Sequence, residues 1–261
     1  MDIQRISSTQ NTRIKHLMAL QQKTQLRRSE QRIVVEGARE LQHCINAGFK
    51  VETVIFCPEI FDISILSNTK YKLLEVTPQV YEKIAYRGST EGVMAIVEPR
   101  QLALTEIKLE DNPLIVVLEG VEKPGNIGAV LRSADAAQAT AVIVCDPLTD
   151  LYNPNLIRSS IGAIFTVPCV ACTSDECIRF LKDNNINILT AQLQDSEPYY
   201  NTPMQGATAI VMGTEATGLT NVWREAATAH IRIPMQGQLD SLNVSVSSAI
   251  LLFEAVRQRL T

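Results

Sequence analysis

From Pro113 onward the chain alternates between short apolar blocks and polar, glycine-bearing loops. Leu114–Leu118, Ala141–Cys145, Ile164–Val170, Ile186–Thr190, Ala207–Met212 and His230–Ile233 are apolar runs of strand length. Unbroken runs of this kind suit strands covered on both faces. Between them, Asn126–Ala137, Asn155–Ser160, Ser174–Asp183 and Asn221–Ala227 have helical spacing. The alternation predicts an α/β fold, doubly wound, with a parallel-rich sheet and helices on both faces.

Upstream the pattern is smaller in scale. Asn11–Glu30 reads as one basic amphipathic helix, with Ile14, Leu17, Met18 and Leu20 on its apolar side. Strands are expected at Ile33–Val35, Val51–Phe56, Lys72–Val76 and Gly92–Val97. Helices fall at Ala38–Ala47, closed by Gly48, and at Pro78–Ala85. This is a small α/β domain over residues 1–99, followed by a linker at 100–112 and a second domain at 113–261. The stretch Ile233–Glu254 leaves a strand, passes Pro234 and Gly237, and enters a helix expected to open at a Ser241 cap.

Composition adds limits. With 46% hydrophobic and 20% charged residues the chain is globular. No apolar run approaches the roughly 18 residues of a membrane span, and no signal core begins the chain. A cytoplasmic protein without a membrane partner is therefore expected. Six cysteines include one CxxC, Cys169 and Cys172, but no second CxxC or histidine pair, so no metal is predicted. Net charge is −4, yet Arg5, Arg13, Lys15, Lys23, Arg27, Arg28 and Arg32 face only Glu30 within their run. Phosphate contact and a solvated helix face both fit that run.

Ligands in open α/β sheets bind beyond the carboxyl ends of strands, and three loops stand there. Glu119–Arg132 turns through Pro124-Gly125-Asn126 and offers Asn126 and Arg132, whose guanidinium fork suits phosphate. It lacks the GxG of a dinucleotide fingerprint and the Lys-Ser/Thr of a phosphate loop, although a nicotinamide reading stays open for this loop alone. Met212–Leu219 sets two glycines around Glu215, and Pro234–Asn243 is the third loop. None of the three histidines lies in them, which removes Ser-His and Cys-His catalysis. No paired carboxylates appear, which disfavours glycoside hydrolysis.

Taken together, the loops resemble the three motifs of the SpoU/TrmH family of RNA ribose 2′-O-methyltransferases. The matches are NIGAVLRSADA (Asn126–Ala136), IVMGTEATGL (Ile210–Leu219) and IPMQGQLDSLNVSVSSAILLFEA (Ile233–Ala255). The resemblance implies a trefoil-knotted, Rossmann-like catalytic domain that methylates a ribose 2′-hydroxyl, in ribosomal RNA of the large subunit rather than tRNA. It implies S-adenosylmethionine beside Thr190, Ala191, Gly213, Ile233, Met235 and Leu242, and a catalytic set of Asn126, Arg132, Glu215, Ser241 and Asn243. Less specifically, NTRIKHLMALQ, IVVEGAREL and EGVMAIVEP resemble the ribosomal-protein-like RNA-binding domain of such enzymes, with Arg13, Lys15, Arg27, Arg28 and Arg32 expected on RNA. A homodimer is the implied assembly.

Overall fold

The structure is a computed structural model that describes residues 3–66, 71–86 and 91–260. The chain divides into two compact units, Met1–Arg100 with Tyr152–Thr166, and Gln101–Leu151 with Val167–Thr261.

In the first unit the elements are β1 (Ile3–Ile6), α1 (Thr12–Gln22), α2 (Thr24–Glu30), β2 (Ile33–Glu36), α3 (Ala38–Asn46), β3 (Val51–Phe56), β4 (Lys72–Val76), α4 (Pro78–Ile84) and β5 (Val93–Val97). The sheet order is β1-β4-β3-β5-β2, parallel through β3 and antiparallel beyond it. Ile14, Leu17 and Leu20 of α1 pack with Val80, Tyr81 and Ile84 of α4 and with the sheet's Ile55, Leu74 and Met94. The single helix expected over 11–30 is two. Lys23, at φ −110° and ψ 105°, is extended and ends one helix as it begins the next. The short strand β1, only one of whose residues is buried, carried no periodic signal.

The second unit contains β6 (Leu114–Glu119), α5 (Pro124–Ala136) and β7 (Ala141–Cys145). Two short helices of the excursion into the first unit follow, α6 (Pro154–Ser159) and α7 (Ala163–Thr166). Then come β8 (Cys169–Cys172), α8 (Ser174–Asp183), β9 (Asn187–Ala191), β10 (Glu197–Pro198), β11 (Thr208–Met212), α9 (Asn221–Ala226), β12 (Ala229–Arg232) and α10 (Val244–Arg259). Among the described residues the strands form one parallel sheet, ordered β10-β12-β9-β11-β6-β7-β8.

Every residue of β6, β7 and β11 is buried, as the continuous apolar runs predicted. On one face Ile115, Val117, Ile143 and Val211 pack against Cys177 and Leu181 of α8 and Trp223 of α9. On the other, α5 and α10 lie against each other and reach β7 and β11. Gln258 and Arg259 dock the end of α10, accepting from Met204 N at 2.8 Å and donating to the carbonyls of Asn112 and Gly206 at 2.8 and 2.7 Å.

Several expectations are corrected. The run 164–170 is not a strand: a helical turn ends at Thr166 and the strand begins after Pro168, which has no N–H to give a ladder. The last helix begins at Val244 with Asn243 as its cap, three residues later than the Ser241 start. Residues 100–112 are no free linker. Ile107 is buried in the second unit's core, with Leu102, Leu104 and Leu109 against it. Residues 152–166, expected within the second domain, group with the first unit instead.

Candidate active site

The loop after β11 is shaped by its own backbone. Thr214 and Gly218 exchange main-chain hydrogen bonds of 3.2 and 3.0 Å, closing a tight turn that carries Glu215 on its outer side. A Cβ at Gly213 would lie 2.2 Å from the Gly218 carbonyl oxygen, so only glycine permits this approach. The loop is anchored where it leaves the turn. Buried Glu119, at the end of β6, accepts from Thr220 N at 2.8 Å and from Thr220 Oγ1 at 2.6 Å.

Glu215 is the point at which the three sequence loops meet. Its Oε1 accepts from Asn126 Nδ2 at 3.2 Å and from Asn243 Nδ2 at 2.7 Å. Asn243 Nδ2 also reaches Asn126 Oδ1 at 3.2 Å, which closes a three-residue ring. Lys123 Nζ stands 3.5 Å from Glu215 Oε2.

Helix capping orients the ring. Asn243 Oδ1 accepts from Ser245 N at 3.0 Å and Ser245 Oγ at 2.6 Å, so its Nδ2 must point outward to Glu215. Asn126 sits in the first turn of α5, whose opening Pro124 is preset for the helix. The carboxylate thus lies beside the first turns of two helices, where unpaired N–H groups favour negative charge.

The other predicted residues are placed as follows. Arg132 lies on α5 six positions beyond Asn126, about 9 Å along the axis and about 120° around it. Asn126 and Arg132 therefore lie on different faces of the helix. Arg132 is exposed and makes no hydrogen bond or ion pair among the described residues. Ser241 precedes the helix and donates to Asp240 Oδ1 at 3.1 Å.

A cavity of about 370 Å³ opens between the loop 212–219, the strand ends of β9 and β12, and the segment 233–244. Ala191, Gly213, Ile233, Met235 and Leu242 line it, as do Glu215 and Ser241. Thr190 does not: it is fully buried, with its hydroxyl 2.6 Å from His230 Nδ1. None of Gly120, Gly125 or Gly128 lines the cavity, so this cavity gives no support to a nicotinamide site on the first loop.

Lys123, Gln192, Gln194 and Arg224 were missed by the sequence reading. Gln192 Oε1 and Arg224 Nε are buried polar atoms without a hydrogen-bond partner, and both residues line the cavity. Such atoms cost free energy unless a ligand satisfies them. Position just past the end of β9 was an available signal for Gln192 and Gln194; Arg224, on a short helix, offered none.

The basic run of the first unit is largely occupied. Arg27 is buried, donating Nη1 to the carbonyls of Leu20 at 2.7 Å and Gln21 at 3.2 Å, and Nη2 to Thr24 Oγ1 at 2.9 Å. Its expected contact with RNA is corrected on that ground. Arg32 binds Glu52 Oε2 at 2.6 Å and the Gln31 carbonyl at 2.6 Å, while Arg13 donates to Gln4. The side chains of Lys15 and Arg28 are exposed and unpaired among the described residues.

Residues 113–253 match the SpoU rRNA Methylase family. The chain belongs to that family. Residues 11–95 match the MRM3-like substrate binding domain. A similar curated protein, the 23S rRNA (guanosine-2′-O-)-methyltransferase RlmB of Vibrio vulnificus, is 38% identical over 195 residues, 72% of this chain and 78% of that one. Among solved structures, an RNA 2′-O ribose methyltransferase is 40% identical with a TM-score of 0.88, covering 98% of this chain and 100% of the other. The AdoMet-bound rRNA methyltransferase from Sinorhizobium meliloti is 27% identical with a TM-score of 0.91, covering 99% of each chain. No helix among the described residues is long and apolar enough to cross a membrane.

Proposed function

We propose that the protein methylates a ribose 2′-hydroxyl of RNA, with large-subunit ribosomal RNA as its substrate in preference to tRNA. The observation that carries this reading is the closed ring of Asn126, Glu215 and Asn243, whose Glu215 lines the cavity. Three loops far apart in the chain converge there, and each belongs to the region matching the family.

S-adenosylmethionine fits the cavity and, when bound, supplies an electrophilic methyl group on a sulfonium. Gly213, Ile233 and Leu242 would hold it through their backbone, with Ala191 and Met235 beside them. The unpartnered Gln192 Oε1 and Arg224 Nε give an acceptor and a donor to its polar groups.

The chain's own work is alignment and charge. Little covalent help is needed; the hydroxyl must be held in line, and its developing negative charge must be met by a cation or donor. Glu215 fixes the two asparagine amides, and Ser241 faces the same cavity as a substrate contact. Arg132, free and exposed, anchors an RNA phosphate and stabilises the forming alkoxide. It acts as cation and donor, not as base, and a substrate phosphate takes the proton.

Lys15 and Arg28 carry the first unit's contact with RNA. The trefoil knot and a cytoplasmic homodimer belong to this reading on the strength of family membership. The closing segment 233–244 and the loop 212–219 sharing one cavity are consistent with the knot.

Ribose methylation mapped across total RNA, incubated with S-adenosylmethionine and with or without the protein, tests the proposal. A new 2′-O-methyl site in 23S rRNA is expected. Methylation confined to tRNA would overturn the substrate, and no ribose methylation at all would overturn the function.

A further inference from the structure

Three cysteines that the methyl-transfer reading does not use meet at the β7–β8 side of the second unit's sheet. Cys145 ends β7 and Cys172 ends β8, and the two are register partners in the parallel pair. Their side chains therefore project on one face. Cys177 comes from the start of α8, whose first turn is fixed by a capping box between Thr173 and Glu176. The three sulfur atoms all lie within 4.8 Å of one another.

The spacing is close to what a metal ion requires. With metal–sulfur bonds of about 2.3 Å, three thiolates around one ion sit about 4 Å apart. Cys145 and Cys177 are buried, and half-buried Cys172 leaves one side for an ion to enter. The carboxylates adjacent in the chain are already held, Asp146 by Ser174 N at 3.2 Å and Oγ at 2.6 Å, and Glu176 by Thr173 N and Oγ1 at 2.8 Å.

The CxxC of the sequence is not the site. In a strand, residues three apart point to opposite faces, so Cys169 and Cys172 are directed apart. The partners of Cys172 come from other elements, which is why the spacing rule predicted no metal.

We propose that Cys145, Cys172 and Cys177 form a three-thiolate site for one soft d¹⁰ metal ion, zinc(II) or copper(I). Three sulfur donors alone suit copper(I), whereas zinc(II) would complete a tetrahedron with water at the open side. Binding forms three metal–sulfur bonds, releases the thiol protons to solvent and changes no oxidation state.

The test uses the whole 261-residue chain, reduced and freed of metal. Zinc(II) and copper(I) are titrated separately against chromophoric chelators, and cobalt(II) serves as a spectroscopic stand-in for zinc(II). One equivalent of at least one of the two ions should bind. Cys172→Ser should weaken that binding on the order of 10- to 100-fold, the range lost when a site's outer partners alone are removed. Cys169→Ser should leave it unchanged. The sulfur-to-cobalt charge-transfer band of the unaltered protein counts thiolates without relying on any variant's folding, and three should be found. Absence of stoichiometric binding, binding that survives Cys172→Ser, or a disulfide among the three forming in place of the metal complex would overturn the proposal.

Discussion

In the first unit positive charge is dense along the chain but mostly committed to the fold. Arg27 satisfies carbonyls at the end of α1, and Arg32 is held by Glu52 and a neighbouring carbonyl. In the second unit the converging loops hold one carboxylate, two amides and one lysine at the ring, and the Arg132 side chain stands apart with no partner among the described residues. The dense region has few free charges, and the sparse one leaves its arginine free. Charge counted along a chain does not measure charge available to a ligand; unpaired helix-end carbonyls take their share first.

Substitutions at five residues press on this contrast. Arg132→Ala should lower the methyl-transfer rate at saturating RNA by about 100- to 1000-fold, the scale of losing one transition-state donor. Its melting temperature should hold, and a normal rate would remove Arg132 from catalysis. Arg27→Ala should cost about 2–3 kcal/mol in denaturant unfolding, because buried carbonyls lose a charged donor. If it weakened RNA binding with stability intact, the assignment of Arg27 to the fold would be wrong.

Asn243 separates capping from the ring. Asn243→Ser keeps a competent cap yet removes both amide bonds, so activity should fall about tenfold with stability within ~0.5 kcal/mol. Equal loss of stability in the Ser and Ala variants would mean that the ring, not the cap, holds the helix start. The smallest effect is expected from Lys15→Glu or Arg28→Glu. Each should lower the slope of log affinity against log salt by about one without altering the unfolding midpoint.

Much of the sheet was legible because buried parallel strands must be apolar on both faces. Ala141–Cys145 has its expected bounds for that reason. The run 164–170 departs from a single strand because an apolar block alone does not separate a buried turn of helix from a strand, and Pro168 has no N–H for a ladder. Ser241 and Asn243, two residues on, are both strong capping residues, so the sequence alone does not choose between them.

Within the site, Asn126 and Glu215 stand out on their loops and Asn243 through motif resemblance, and the structure adds why they converge. Thr190 was misplaced because a strand-end position does not reveal that a hydroxyl is already bonded to His230. Lys123 and Arg224 are not legible, since the approach of Lys123 to Glu215 and of Arg224 to the cavity depends on loop paths that local patterns do not encode.

The excursion 152–166 bears on how such a protein arises and diverges. Chain passes between the two units at three junctions, so the first unit is not a bead that one recombination event adds or removes. Leu156, Ile157, Ile164 and Phe165 are buried, and Phe165 meets Phe49 edge-on at 5.1 Å. A methylase portion moved onto a different targeting module would carry these four side chains with no surface evolved to receive them. Exchange of specificity in this lineage should therefore proceed by gradual change of the first unit's exposed residues, while that inserted stretch and its receiving surface change together.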